Sequence, residues 1–236
     1  MILKKILDIL MPARCLDCGV FVEDDYSICH NCWPKYLFID DPMCKICGVP
    51  FPFEGQSEYI CAGCAKDKPH FDIARSVFKY DGSSKKIIHG FKYNDRTYLA
   101  KFFAKIILSR FGPLVIDADI ITCVPMHKFK RIFRLYNHSQ ILGREIAAFA
   151  KKNFSQDALI KTKNTKSQTF LSRSARKKNL IGSFASNPKI VFNKNVVIID
   201  DVISTGQTIN LCAKELKKAG AKKVIVLAIA KNYHGS

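Results

Sequence analysis

The sequence is short of acids. Its 236 residues include 20 Asp and Glu against 38 Lys and Arg, a formal charge of +18. An excess of that size attracts polyanions such as nucleic acid, nucleotides or a pyrophosphate-bearing substrate, although a basic surface also serves solubility alone. The shortage is local: residues 1–70 hold 7 basic and 10 acidic residues, whereas residues 71–236 hold 31 and 10. No apolar run is long enough to span a bilayer, so no membrane insertion is expected. A secretory leader is lacking too, because Lys4, Lys5 and Asp8 interrupt the apolar residues 1–11 and no small-residue cleavage site follows. That stretch reads as a short amphipathic helix, and the chain is expected to be cytoplasmic.

In a reducing compartment, paired cysteines mean metal rather than disulfides. Eight of the 10 cysteines lie between positions 15 and 64, all in Cys-x-x-Cys pairs. Cys15, Cys18, Cys29 and Cys32 form one set; Cys44, Cys47, Cys61 and Cys64 form a second, so the pattern is an internal repeat. Each set suffices for one tetrahedral Zn²⁺, two in all, and a closed shell of four thiolates is structural rather than catalytic. Gly19 and Gly48, one residue after a pair, suit the tight turn that aims thiolates at a metal. Sequential pairing gives compact ribbons, an interleaved cross-brace is the alternative, and His30 is a substitute ligand that four cysteines make unnecessary.

The chemistry concentrates in residues 196–208, Val-Val-Ile-Ile-Asp-Asp-Val-Ile-Ser-Thr-Gly-Gln-Thr. Four β-branched apolar residues predict a strand buried on both faces. Ile209, Cys212, Leu216 and Ala219 then fall on one helical face. Asp200 and Asp201 therefore stand at the carboxyl end of a strand, and Ser204, Thr205, Gly206, Gln207 and Thr208 make the turn into a helix. A glycine here admits a ligand close to the backbone, and amides at a helix start cradle phosphate. Adjacent carboxylates repel in a dry site, so they call for hydroxyl donors or a divalent cation. A sugar phosphate with vicinal hydroxyls meets both needs; the plainer alternative is a strand end whose acids cap the following loop.

Elsewhere the pattern predicts a strand over 73–80, helices over 82–91 and 95–111, a strand over 119–124, a helix over 137–150 and a last strand over 223–230. Strands alternating with helices imply an α/β fold with a mostly parallel sheet and ligands at the strands' carboxyl ends. The prolines and the change of charge sign place a domain boundary at residue 70, giving units 1–70 and 71–236. Lys128, Lys130, Arg131 and Arg134 make the loop after the 119–124 strand a site for pyrophosphate. Residues 161–178 are polar and basic, with Arg173, Arg176, Lys177 and Lys178 among them. They suit a lid over substrate or a strip for nucleic-acid backbone, against the alternative of a charged linker. Phe170 and Phe184 beside them are core anchors or base-stacking platforms.

The 196–208 spacing resembles the phosphoribosyl pyrophosphate (PRPP) signature of type I phosphoribosyltransferases. With the paired cysteines, Val124-Pro125, Arg134-Leu135-Tyr136-Asn137-His138 and the 164–184 block, nearly the whole chain resembles the ComF family of bacterial competence. Leu135 stands where the family has glycine, and Ser167 where it has proline. The resemblance implies a double zinc ribbon fused to a type I phosphoribosyltransferase domain. It also implies that Asp200 and Asp201 hold the ribose hydroxyls directly or through Mg²⁺, that residues 204–208 hold the 5′-phosphate, and that Lys128 or Arg131 faces the pyrophosphate. Two functions stay open: phosphoribosyl transfer from PRPP, or a non-catalytic nucleic-acid-binding or regulatory module on that scaffold. The implied partners are PRPP, imported single-stranded DNA and competence helicase or processing proteins. No side chain stands out as a general base.

Overall fold

The computed structural model describes residues 12–53, 58–93, 95–126, 136–163 and 182–233. Their strands are β1 (Ile73–Lys79), β2 (Ile120–Cys123), β3 (Leu159–Lys161), β4 (Phe184–Ser186), β5 (Asn195–Ile203) and β6 (Lys223–Lys231). The helices are α1 (Ala62–Lys66), α2 (Gly82–Tyr93), α3 (Leu99–Ile116), α4 (His138–Ala150), α5 (Pro188–Val191) and α6 (Gln207–Lys218). Four strands form one sheet in the order β1-β6-β5-β2 with every pairing parallel, and β3 and β4 form a separate antiparallel pair.

The unbroken apolar runs explain the centre of that sheet. Val196, Val197, Ile198 and Ile199 on β5 and Val224 through Ala230 on β6 are all fully buried, as strands covered on both faces must be. On one face pack Ile87, Ile88 and Phe91 of α2, Leu99, Phe103 and Ile107 of α3, and Leu142 and Ile146 of α4. On the other pack Ile209, Cys212 and Leu216 of α6, together with Phe184. Burying a side chain such as Phe91 or Phe103 contributes about 1.5–3 kcal/mol over leaving it in water. Phe184 is thus a core anchor and not a stacking surface.

Two helix bounds differ from expectation. The helix expected from residue 95 starts at Leu99 because Asp95 takes a left-handed conformation, φ 51°. It also runs past Phe111, through a kink there (φ −126°, ψ 20°) with Pro113 just beyond, where a missing N–H costs nothing at a fresh helical start.

The cysteine-rich segment lies along the free edge of the sheet. The Ile39 amide donates to Val77 O at 2.9 Å, the Lys79 amide to Leu37 O at 2.8 Å and the Ala74 amide to Ile46 O at 2.7 Å. An uncovered edge strand would offer those amides to other chains. Tyr36 and Phe38 press on Phe78, with ring centroids 5.4 and 4.9 Å away, so this segment joins the main core. No helix among the described residues is long and apolar enough to cross a membrane.

Candidate functional site

The two cysteine sets assemble sequentially. In each, the four Sγ atoms lie within 4.8 Å of one another. Cys18 and Cys29 are 3.7 Å apart at sulfur, and Cys47 and Cys61 3.6 Å. A tetrahedron with Zn–S near 2.3 Å has edges of about 3.8 Å, so both sets fit structural zinc. Gly19 (φ 79°) and Gly48 (φ 66°) make the knuckle turns as expected. Amides point at the sulfurs: Cys29 N lies 3.3 Å from Cys15 Sγ and Cys61 N 3.3 Å from Cys44 Sγ. Burial opposes ionisation of Cys15 and Cys44, but the amide donors outweigh it and bring the thiols down to about 6 and about 7.

The acid pair lies on β5, which continues past it to Ile203 because β6 keeps pairing as far as Lys231. β2 stops at Cys123, opposite Ile199. Beyond Ile199 the β2 side of β5 is therefore bare, and a crevice opens at the carboxyl ends of the strands, where parallel sheets bind ligands.

Both carboxylates are held in place. Asp200 Oδ1 accepts from the Ser139 hydroxyl at 3.1 Å and from the Asp201 amide at 2.9 Å. Asp201 Oδ1 accepts from the Val202 amide at 2.6 Å and pairs with Lys92 Nζ at 2.8 Å. Burial first, then the Asp201 charge, pushes Asp200 up to about 7 despite Lys92, the Asp201 amide and Ser139. Burial alone would lower Lys92, yet the Asp201 and Asp200 carboxylates more than offset it and raise its pKa.

The loop behind the acids is open. Ser204 and Thr205 are exposed, and Gly206, at φ 73°, caps α6. Nothing lies within 4 Å of where a Cβ on Gly206 would stand, so glycine is needed there for its backbone conformation and not for packing. The first amides of α6 have no partner in their own helix; together with the hydroxyls of Ser204, Thr205 and Thr208 they suit a phosphate.

Lys92 and Ser139 were not foreseen. Lys92 closes the last turn of α2, far from the acids in sequence. Ser139 is placed by Asn137, whose side chain accepts from the Ser139 amide at 3.2 Å and donates to Val124 O at 3.0 Å. Beside them is a cavity of about 140 Å³ lined by Cys123, Pro125, Asn137, Gln140, Gln156 and Lys161 among others. Lys128, Arg131, Arg173, Arg176, Lys177 and Lys178 lie outside the described residues.

Comparison with known proteins matches residues 6–65 to the double zinc ribbon domain and residues 134–236 to the phosphoribosyl transferase domain. β1, α2, α3 and β2 lie outside the second match yet complete its sheet. DNA utilization protein YhgH of Escherichia coli (strain K12) is 26% identical over 227 residues, 94% of this chain and 98% of that protein. Competence protein F of Haemophilus influenzae is 25% identical over 231 residues, 92% of this chain and 96% of that protein. Among solved structures, glutamine PRPP amidotransferase from B. subtilis aligns with 60% of this chain and 30% of its own, at 21% identity and a TM-score of 0.42.

Proposed function

We propose, from the premise that this chain is a ComF-family protein pairing a double zinc ribbon (residues 1–70) with a phosphoribosyl transferase domain (residues 71–236), that it binds PRPP and acts on imported single-stranded DNA in the cytoplasm. The observation that carries the PRPP reading is the sequence of two anchored carboxylates, an open hydroxyl-bearing turn and a glycine-capped helix start, all at one strand end. Gly206 turns the first amides of α6 toward the 5′-phosphate, with Ser204, Thr205, Gln207 and Thr208 around it. Asp200 and Asp201 face the ribose hydroxyls. Their oxygens are also the hard donors that Mg²⁺ takes, and when bound it would neutralise charge on the pyrophosphate. Lys92 holds Asp201 in register, Ser139 does the same for Asp200, and Lys128 and Arg131 face the pyrophosphate.

Breaking the C1–pyrophosphate bond builds positive charge on the ribose and negative charge on the leaving group, so fixed carboxylates and cations on opposite sides favour that step. The cavity beside Asn137 and Gln140 offers amide groups to an acceptor. Relatives named for DNA utilization and competence support a nucleic-acid role, as does the charge of residues 71–236. Arg173, Arg176, Lys177 and Lys178 are one contact strip for the strand, and competence helicase or processing proteins are its partners.

Pyrophosphate release, measured with PRPP, Mg²⁺ and a panel of bases and DNA ends, tests the transfer reaction. Release with one acceptor establishes an enzyme; PRPP binding without release under every acceptor establishes a binding module. Removing the 5′-phosphate from the ligand weakens binding sharply, because the α6 amides are then desolvated without an anion. Equal affinity without that phosphate contradicts the placement of the loop.

A further inference from the structure

α2 has two working faces. Ile87, Ile88 and Phe91 enter the core, while Lys85, His89 and Tyr93 recur at four-residue steps on the exposed side, one stripe of the helix surface. Beside that stripe is a cavity of about 380 Å³ lined by Gly82, Lys85, Lys86, His89, Gly90 and Arg96. Its wall holds cations and no carboxylate. Gly90 makes its floor: a Cβ there would stand 3.3 Å from Arg96 Cδ, so the glycine lets the arginine lie across the helix.

The depression continues. A second cavity of about 700 Å³ shares Arg96 and runs over the first ribbon past Arg14, Asp17, Cys18 and Tyr98. The acids on this path are already engaged: Asp17 pairs with Lys86 at 2.7 Å, and Asp95 accepts the Tyr136 hydroxyl. Aromatic rings line it. Tyr93 is 55% and Tyr98 45% exposed, and His89 lies against Tyr93 with centroids 4.5 Å apart. A basic groove interleaved with exposed rings is what unpaired nucleic acid needs, since phosphates track the cations and bases stack on the rings.

We infer that this groove, between α2 and the first zinc ribbon, is a track for single-stranded nucleic acid, separate from the 173–178 strip. The inference rests on the nucleic-acid part of the proposed function and deepens it. The helix that lines the groove also ends at Lys92 and Asp201, so the track leads to the acid pair. A strand lying in it presents a nucleotide toward the crevice, with the ribbon as one wall.

The test is fluorescence polarisation with labelled oligothymidylate over a salt series, on the full zinc-loaded chain. Comparing wild type with the triple variant Lys85→Ala, His89→Ala, Arg96→Ala and with Tyr93→Ala separates the two ideas. If the wild type binds no oligothymidylate at low salt, the nucleic-acid reading itself fails, and the track with it. If the wild type binds, the triple variant flattens the slope of log affinity against log salt by about 2 units, at roughly 0.7 per lost phosphate contact. Tyr93→Ala weakens binding about fivefold or more through lost stacking. Unchanged affinity and slope in both variants overturn the track, and so does a triple variant that loses only poly-glutamate binding, which indicates an acidic protein partner. All four substituted residues are exposed, and PRPP calorimetry with zinc content verifies folding. Should a variant misfold, photocrosslinking of iodouracil-bearing strands to the wild type decides: crosslinks within residues 82–98 support the track, and crosslinks confined elsewhere overturn it.

Discussion

The two halves of the chain solve the problem of holding a shape by different means. The sheet half buries two faces of β-branched strands under helices. The cysteine half has little such core of its own: around the first set, Cys15, Cys29 and Cys32 are themselves the buried cluster, with only Val22 and Ile28 against them. A segment that small is held by its metal. The second set is less isolated, since Ile46 and Cys47 rest on the sheet core and the Arg75 guanidinium donates to Cys44 O at 3.4 Å and Lys45 O at 3.2 Å. One motif, used twice, thus gives a projecting lobe and a docked one.

The largest expected effect separates the halves. Structural zinc contributes on the order of 10–16 kcal/mol to the folding of small zinc modules. Chelation is therefore expected to release two zinc ions per chain and unfold the cysteine half while α/β circular dichroism persists. Trp33, the single tryptophan, borders Cys32 and packs on Phe38 at 5.3 Å, so its fluorescence reports the ribbon alone. Unchanged Trp33 emission after zinc loss contradicts the metal-held account, as would a Cys47→Ser chain that keeps its ribbon without metal.

A smaller effect separates the two lobes. A Cβ on Gly48 would stand 2.6 Å from Ala74 O, whereas nothing lies within 4 Å of one on Gly19. Both glycines have positive φ, a strain of about 1–2 kcal/mol for alanine. Gly48→Ala adds a backbone clash of about 1–3 kcal/mol and lifts the docked lobe off β1. Urea melts showing equal losses for Gly19→Ala and Gly48→Ala would mean that the seam is not where the second lobe is held.

The cysteine sets were legible because their spacing is local and the geometry of a metal shell allows few alternatives. The acid pair and its turn were legible for the same reason: strand, acids, hydroxyls and glycine are consecutive. Lys92 was not, because only the order of elements in space brings the end of α2 over β5. The covering of β1 by residues 37–39 was also hidden, since edge pairing leaves no periodic trace. The expectation that the strand ends at the acids failed because its length is set by β6, which pairs on to Lys231.

The smallest effect belongs to the sheet half alone. Asp200 holds its proton to about 7 in the folded chain against about 3.9 in an unfolded one. Between those values the folded state binds more protons, so this group's contribution to stability falls as pH rises through the window. Asp200→Asn removes that fall. Without ligand it matches the wild type near the lower limit and exceeds it above the upper one by on the order of 1–3 kcal/mol. Thermal melts at both ends check this, and a variant less stable at the alkaline end contradicts it. Zinc content is unchanged in either case.

The central claim is that the acid pair and the turn behind it form a PRPP site. Titration calorimetry of PRPP with Mg²⁺ into wild type and Asp201→Ala tests it most directly, with Trp33 emission confirming an intact ribbon in both. The account predicts saturable binding to the wild type and at least a tenfold loss in the variant, a change of about 1.4 kcal/mol or more. Equal affinity in the two proteins would contradict it.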